Sequence, residues 1–200
     1  MNHRICKQAC SLATLMMALL TGCSGRANRE VAQSFVAQFE KVAAKDKESN
    51  DLEKQANEYN NELDQVLHET NPAKRAKAFG VWVTQYRGLI SQDRSILDTQ
   101  SSLIDGLVAD SAKFTGDANR YGRESTDALR EYLDAERSGI AVGEQMLAEI
   151  ESYVDKPEAV DSKRLEELGK RSEGLDSKSK AAFQRAKDAI ARVRTVAGLQ

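Results

Sequence analysis

Cysteine and proline are scarce in this chain, and the shortage excludes a good deal. Its three cysteines, Cys6, Cys10 and Cys23, all fall within the first 23 residues. Nothing beyond that point can form a disulfide, a thiolate metal site or a C-x-x-C redox pair. Stability there must come from packing. No run of apolar residues reaches the roughly 20 needed to span a bilayer as a helix. There is no G-x-S-x-G, no glycine-rich phosphate loop and no H-E-x-x-H. After His3 the chain has one histidine, His68, with Gln65 rather than a glutamate three residues before it, so the Glu-x-x-His spacing of di-iron bundles is missing. Asp64 lies four residues before His68, a spacing that suits an ion pair near a helix C-terminus as well as a metal. No catalytic set, metal site or bound cofactor is expected. The charge balance, 29 Lys and Arg against 31 Asp and Glu, argues against general nucleic-acid binding.

What is present begins at the N-terminus. Arg4 and Lys7 precede Ala9–Leu20, an apolar stretch broken only by Ser11 and Thr14. A charged start, a short apolar middle and small residues before a cut are the marks of an export signal. The stretch closes on Leu20-Thr21-Gly22-Cys23, which resembles the lipobox of bacterial lipoproteins. The resemblance implies a signal peptide over residues 1–22, cleavage before Cys23, and a diacylglycerol and N-acyl chain on that cysteine as the only attached groups. Residues 23–27 then form a lipidated tether and residues 28–200 the folded domain. Two or more acyl chains anchor a protein stably. Ser24, which is not aspartate, implies by the same resemblance the outer membrane, facing the periplasm. Without Arg4 and Lys7 the remainder carries 27 basic and 31 acidic residues, a net charge of −4.

The rest reads as helix, rich in Ala, Leu, Glu, Lys, Arg and Gln. Val31, Phe35, Phe39 and Val42, then Leu52, Ala56, Tyr59, Leu63 and Val66, step by three and four and predict a first helix over about 28–68. The polar run Lys45–Asp51 interrupts the seam, and Asn50 with Glu53 offers a capping box, so a break there is an alternative. Thr70-Asn71-Pro72 reads as a helix end followed by a capped start, because proline at the first turn gives up no hydrogen bond. Phe79, Val83, Tyr86, Ile90, Leu97, Ile104, Leu107 and Phe114 carry the second helix, and their spacing outweighs the strand-like Val81–Thr84. A single helix from Pro72 to Val154 would reach roughly 120 Å, so a turn is needed. Thr115-Gly116-Asp117 is the best placed, with Gly122 and Ser125 the alternative. The third helix is expected over 117–154 and, after a turn at Asp155–Pro157, the fourth over 158–197. Acid-first pairs such as Glu166–Lys170 and Asp188–Arg192 line the fourth helix's outer face. The fold predicted is all-α, an antiparallel up-down-up-down four-helix bundle of long, coiled-coil-like helices, about 60 Å in length.

Laying these helices side by side brings Ser49, Asp93, Arg94, Gly139 and Glu173 to one height. Asp93 sits on the seam between Ile90 and Leu97, and Gly139 and Gly174 remove side-chain volume. This predicts a polar, under-filled layer, read either as a small-molecule pocket or as a device fixing register. One end of the bundle gathers Arg26, Arg29, Arg120, Arg123, Arg192 and Arg194, with Arg185 and Lys187. Basic residues there can face anionic headgroups, although cations at a helix C-terminus are favoured without any partner. The expected role is a non-enzymatic, membrane-anchored envelope scaffold with a protein partner. A ligand-binding or sensory bundle using the mid-height layer is the alternative.

Overall fold

The computed structural model describes the backbone of residues 3–155 and 162–199, and the side chains of residues 28–63, 65–152 and 163–199. Among the described residues four helices run in order: α1, His3–Leu67; α2, Pro72–Ser111; α3, Gly116–Asp155; and α4, Ser162–Val196. No strand occurs among the described residues. α1 starts well before residue 28, so the backbone of residues 3–27, expected to be export segment and tether, is helical and continues into the bundle. The side chains of Cys23 and Arg26 lie outside the described residues, as do the side chain of Asp64 and, of the turn expected at Asp155–Pro157, all but Asp155, which ends α3.

Each connection that is described has a local cause. Asn71 accepts from the Ala73 and Lys74 amides at 3.1 and 3.2 Å, which caps α2 where Pro72 has no amide to lose. Between α2 and α3 the chain takes four residues, 112–115, and Gly116 opens α3 at φ +58°, a conformation glycine adopts without cost. Phe114, expected within the second helix, instead lies in this turn. It is buried and meets Phe35 edge-on at 5.2 Å. The Asn28 side chain donates to the Thr115 hydroxyl at 3.0 Å and fixes the turn beside the bundle's first residues.

No break occurs at Lys45–Asp51. Asn50 donates back to the Asp46 carbonyl at 2.8 Å within a continuous helix and caps nothing. Val81–Thr84 is helical, with the Thr84 hydroxyl on the Gly80 carbonyl. Cross-helix pairs set the register. Ser34–Asp110, Ser49–Asp93 and Tyr59–Trp82 join α1 to α2 with numbers that rise on one helix as they fall on the other. Glu131–Arg185 and Glu124–Arg192 do the same for α3 and α4. The helices are antiparallel.

Among the described residues the apolar core comes in two parts. The larger fills the proximal end, where Asn28, Thr115 and the C-terminus meet, and includes Phe35, Leu107, Leu129, Phe183 and Val193. The smaller, distal part is built on Phe79, Trp82, Val83 and Leu147. Full burial of each such side chain stabilises by about 1.5–3 kcal/mol. No helix among the described residues is long and apolar enough to cross a membrane.

Candidate functional site: a cleft between the first and last helices

The two cores do not join, and the reason lies in α1 and α4. At the proximal end these helices touch: Phe39 stacks on Phe183 at 5.9 Å and Arg194 pairs with Glu40 at 2.7 Å. From Asp46 onward a cavity of about 590 Å³ occupies the space between them. Asp46, Ser49, Glu53 and Ala56 form one wall; Leu175, Asp176, Ser179 and Lys180 form the other. α2 supplies Tyr86, Leu89, Ile90 and Asp93 to the floor, and α3 supplies Tyr132, Glu136, Gly139, Ile140, Gly143 and Met146. A Cβ built on Gly139 or Gly143 meets no atom within 4 Å, so both glycines border open space.

The electrostatics follow from that half-buried setting. Burial pushes the Asp93 carboxyl above the usual aspartate range, against the hydrogen bond it accepts from Ser49 at 2.5 Å. Glu136 is raised in the same way by burial. The Ser179 hydroxyl, which donates to it, opposes the rise, and repulsion from Asp93, Asp46 and Asp176 adds to it. Asp46 too is raised by burial, with the Tyr132 hydroxyl and the Lys187 ammonium acting the other way. Tyr132 is held firmly protonated by burial and by the carboxylates of Asp46 and Glu136. Its hydroxyl accepts from Gln100 Nε2 at 3.1 Å; Gln100, fully buried, also donates to the Val42 carbonyl at 3.3 Å. This pair closes the cleft's proximal end.

Of the residues expected at mid-height, Ser49, Asp93 and Gly139 line the cavity. Arg94 and Glu173 do not. Arg94 is exposed and pairs with Glu144 on α3 at 2.5 Å, while Glu173 and Gly174 face solvent. The cause is register. Because Glu136 meets Ser179 and Glu131 meets Arg185, it is Asp176 that comes opposite Gly139. Sequence reasoning missed Asp46, Glu136, Gly143, Tyr132 and Asp176. Three of these carried a usable signal: Asp46 is three residues before Ser49, and Glu136 and Gly143 stand three before and four after Gly139, on the same helix faces.

Of the arginines predicted at one end, Arg29, Arg120, Arg123, Arg192 and Arg194 lie at the proximal end, but much of their charge is met within the protein. Arg120 pairs with Asp117 at 3.3 Å and lies over the Tyr121 ring, which Arg192 also approaches at 5.5 Å. Arg192 pairs with Glu124 at 3.6 Å and Arg194 with Glu40. Arg29 and Arg123 are exposed. His68 is exposed just past the end of α1. No group of three His, Cys, Asp or Glu side chains is placed to hold a metal ion among the described residues. Comparison with protein families, with curated proteins and with solved structures finds no match to this chain.

Proposed function

We propose that this chain is a non-enzymatic binding protein of the bacterial envelope, tethered at the membrane through acylated Cys23, whose cleft between α1 and α4 takes up a small molecule. The cleft is the observation that carries the reading. Pockets between helices are a common place for ligands, and about 590 Å³ is within the range such sites occupy. Its walls combine apolar surface with a few converging polar groups, as ligand sites do. The lipobox-like Leu20–Cys23 supports the tether, and Ser24 supports an outer-membrane address. Arg29 and Arg123 remain to face headgroups, so the acyl chains rather than the basic end supply the membrane hold.

Two experiments test this reading. Growth with an alkyne-tagged fatty acid labels the wild-type protein and not Cys23→Ser; equal labelling of both removes the tether. Native mass spectrometry of the detergent-extracted chain detects a retained small molecule that Gly143→Leu, which fills the cleft, sheds. No retained or added metabolite on either protein removes the binding role.

A scaffold role is the second reading, favoured by a different surface. Near the Pro72 turn, Val66, Ala78, Val81 and Trp82 line a shallow groove between α1 and α2, edged by Glu62, Lys74 and Lys77. Val81 is 52 % exposed there. A photo-crosslinker at Val81 that traps one specific envelope protein in cells supports the scaffold, and its absence leaves the cleft as the working surface.

A further inference from the structure

The chemistry of the cleft specifies more than its volume. Five carboxylates line it, those of Asp46, Glu53, Asp93, Glu136 and Asp176, against two ammonium groups, those of Lys180 and Lys187. Lys180 is already bound to Asp176 at 2.8 Å. The lining is therefore net negative, and an anionic guest meets repulsion from every helix. An apolar guest would bury the carboxylates further and give them nothing in return, and a neutral hydroxyl would offer a hydrogen bond without the opposite charge.

The acids are also spread out. Asp46, Asp93, Glu136 and Asp176 come from α1, α2, α3 and α4 in turn, and no three acidic side chains among the described residues stand close enough to share one metal ion. A single small cation can satisfy at most part of the set. Between the carboxylates lie Leu89, Ile90, Ile140, Met146 and Leu175, which offer a methylene chain an apolar bed. Tyr86 and Tyr132 add aromatic surface to the lining, their rings packed on Trp82 and Phe183.

Resting on the binding role above, we propose that the cleft's ligand is an elongated aliphatic amine with at least two positive charges. Its chain lies across the floor beside Gly139 and Gly143, and its ammonium groups reach carboxylates on different helices. The two glycines keep that path clear, since larger side chains at either position project into the cavity. Ser49 and Ser179 hold Asp93 and Glu136 in place before the ligand arrives.

Three eight-carbon probes, diaminooctane, octanediol and suberate, separate the alternatives by isothermal titration on the detergent-extracted full chain. They share a chain length and differ in charge. The diamine is expected to bind with one-to-one saturation, and the diol and diacid at least about tenfold more weakly, as the loss of one charge-assisted contact implies. Asp93→Asn combined with Glu136→Gln keeps the side-chain shapes and lowers diamine affinity by about tenfold or more without changing diol binding. A diol or diacid that binds as tightly as the diamine overturns the amine assignment and leaves the cleft a binding site. Failure of all three probes, with retained molecules unaffected by Gly143→Leu, overturns the assignment and the binding role together.

Discussion

Glu136 faces carboxylates from every other helix: Asp46 on α1, Asp93 on α2 and Asp176 on α4, with Lys180 the cation in its field. Its folded-state affinity for a proton is raised, as are those of Asp46 and Asp93, and burial is the main cause each time. The consequence for stability has a definite sign. A carboxyl that holds its proton more tightly folded than unfolded stabilises the fold when protonated. That contribution grows as pH falls from the raised folded values toward the ordinary carboxylate range, and it is lost as pH rises above them. At neutral pH, Glu136→Gln and Asp93→Asn are therefore expected to raise Tm, and the advantage over wild type should shrink on acidification. A thermal melt series from neutral to acidic pH checks this; a Tm lowered by both variants at neutral pH contradicts it. The neighbouring amide tests the opposite case. Gln100→Leu removes one of the Tyr132 hydroxyl's partners and leaves it Asp46, and should cost about 0.5–1.5 kcal/mol. Adding Tyr132→Phe to that variant takes the donor from Asp46 as well and should deepen the loss, which a double-mutant cycle measured by urea denaturation checks.

At the scale of one helix, α3 carries glycines of two kinds. Gly139 and Gly143 border the cavity and their missing Cβ atoms would touch nothing, whereas a Cβ on Gly122 would lie 2.9 Å from the Phe114 ring and 3.1 Å from Ser111. Alanine is better than glycine in a helix interior by about 1 kcal/mol. Gly139→Ala and Gly143→Ala should each stabilise the bundle by up to about that amount, while Gly122→Ala should destabilise it, because the turn residue Phe114 is buried and cannot yield freely. Urea midpoints of the three single variants decide the matter. The same helix shows what was readable beforehand. Three-four spacing of apolar residues and the capped proline at Asn71-Pro72 were enough to place four antiparallel helices, because both signals are local. The α3–α4 register was not legible. The turn expected at Asp155–Pro157 put the centre about one and a half residues early, which shifts the opposed α4 residue by three, and three residues move a side chain roughly 4.5 Å along the axis and most of a turn around it. That shift exchanges Asp176 for Glu173. Asp93 and Gly139 escaped the error because they depend on the α2–α3 turn, which Gly116 marks well.

Across the whole molecule, the cleft separates two apolar cores of unequal size. The proximal core draws on all four helices; the distal one is built on Phe79, Trp82, Val83 and Leu147 from α2 and α3, with α1 residues such as Tyr59 packed against it. Stability within one protein is distributed over units that open at different free energies, and units with fewer buried contacts open first. The distal half is therefore expected to unfold before the proximal half. Trp82 is the chain's sole tryptophan, is 2 % exposed in the distal core, and donates its indole N–H to the Tyr59 carbonyl at 2.7 Å. Its fluorescence reports that half alone, whereas far-UV circular dichroism reports all four helices. In urea the fluorescence midpoint should fall below the dichroism midpoint, a departure from two-state behaviour. A diamine that bridges carboxylates on different helices should draw the two curves together, since a ligand stabilises only the state in which its site is assembled. Coincident curves in its absence would mean that the helices transmit cooperativity past the polar layer, and that the cleft is an interruption in packing without being a boundary in folding.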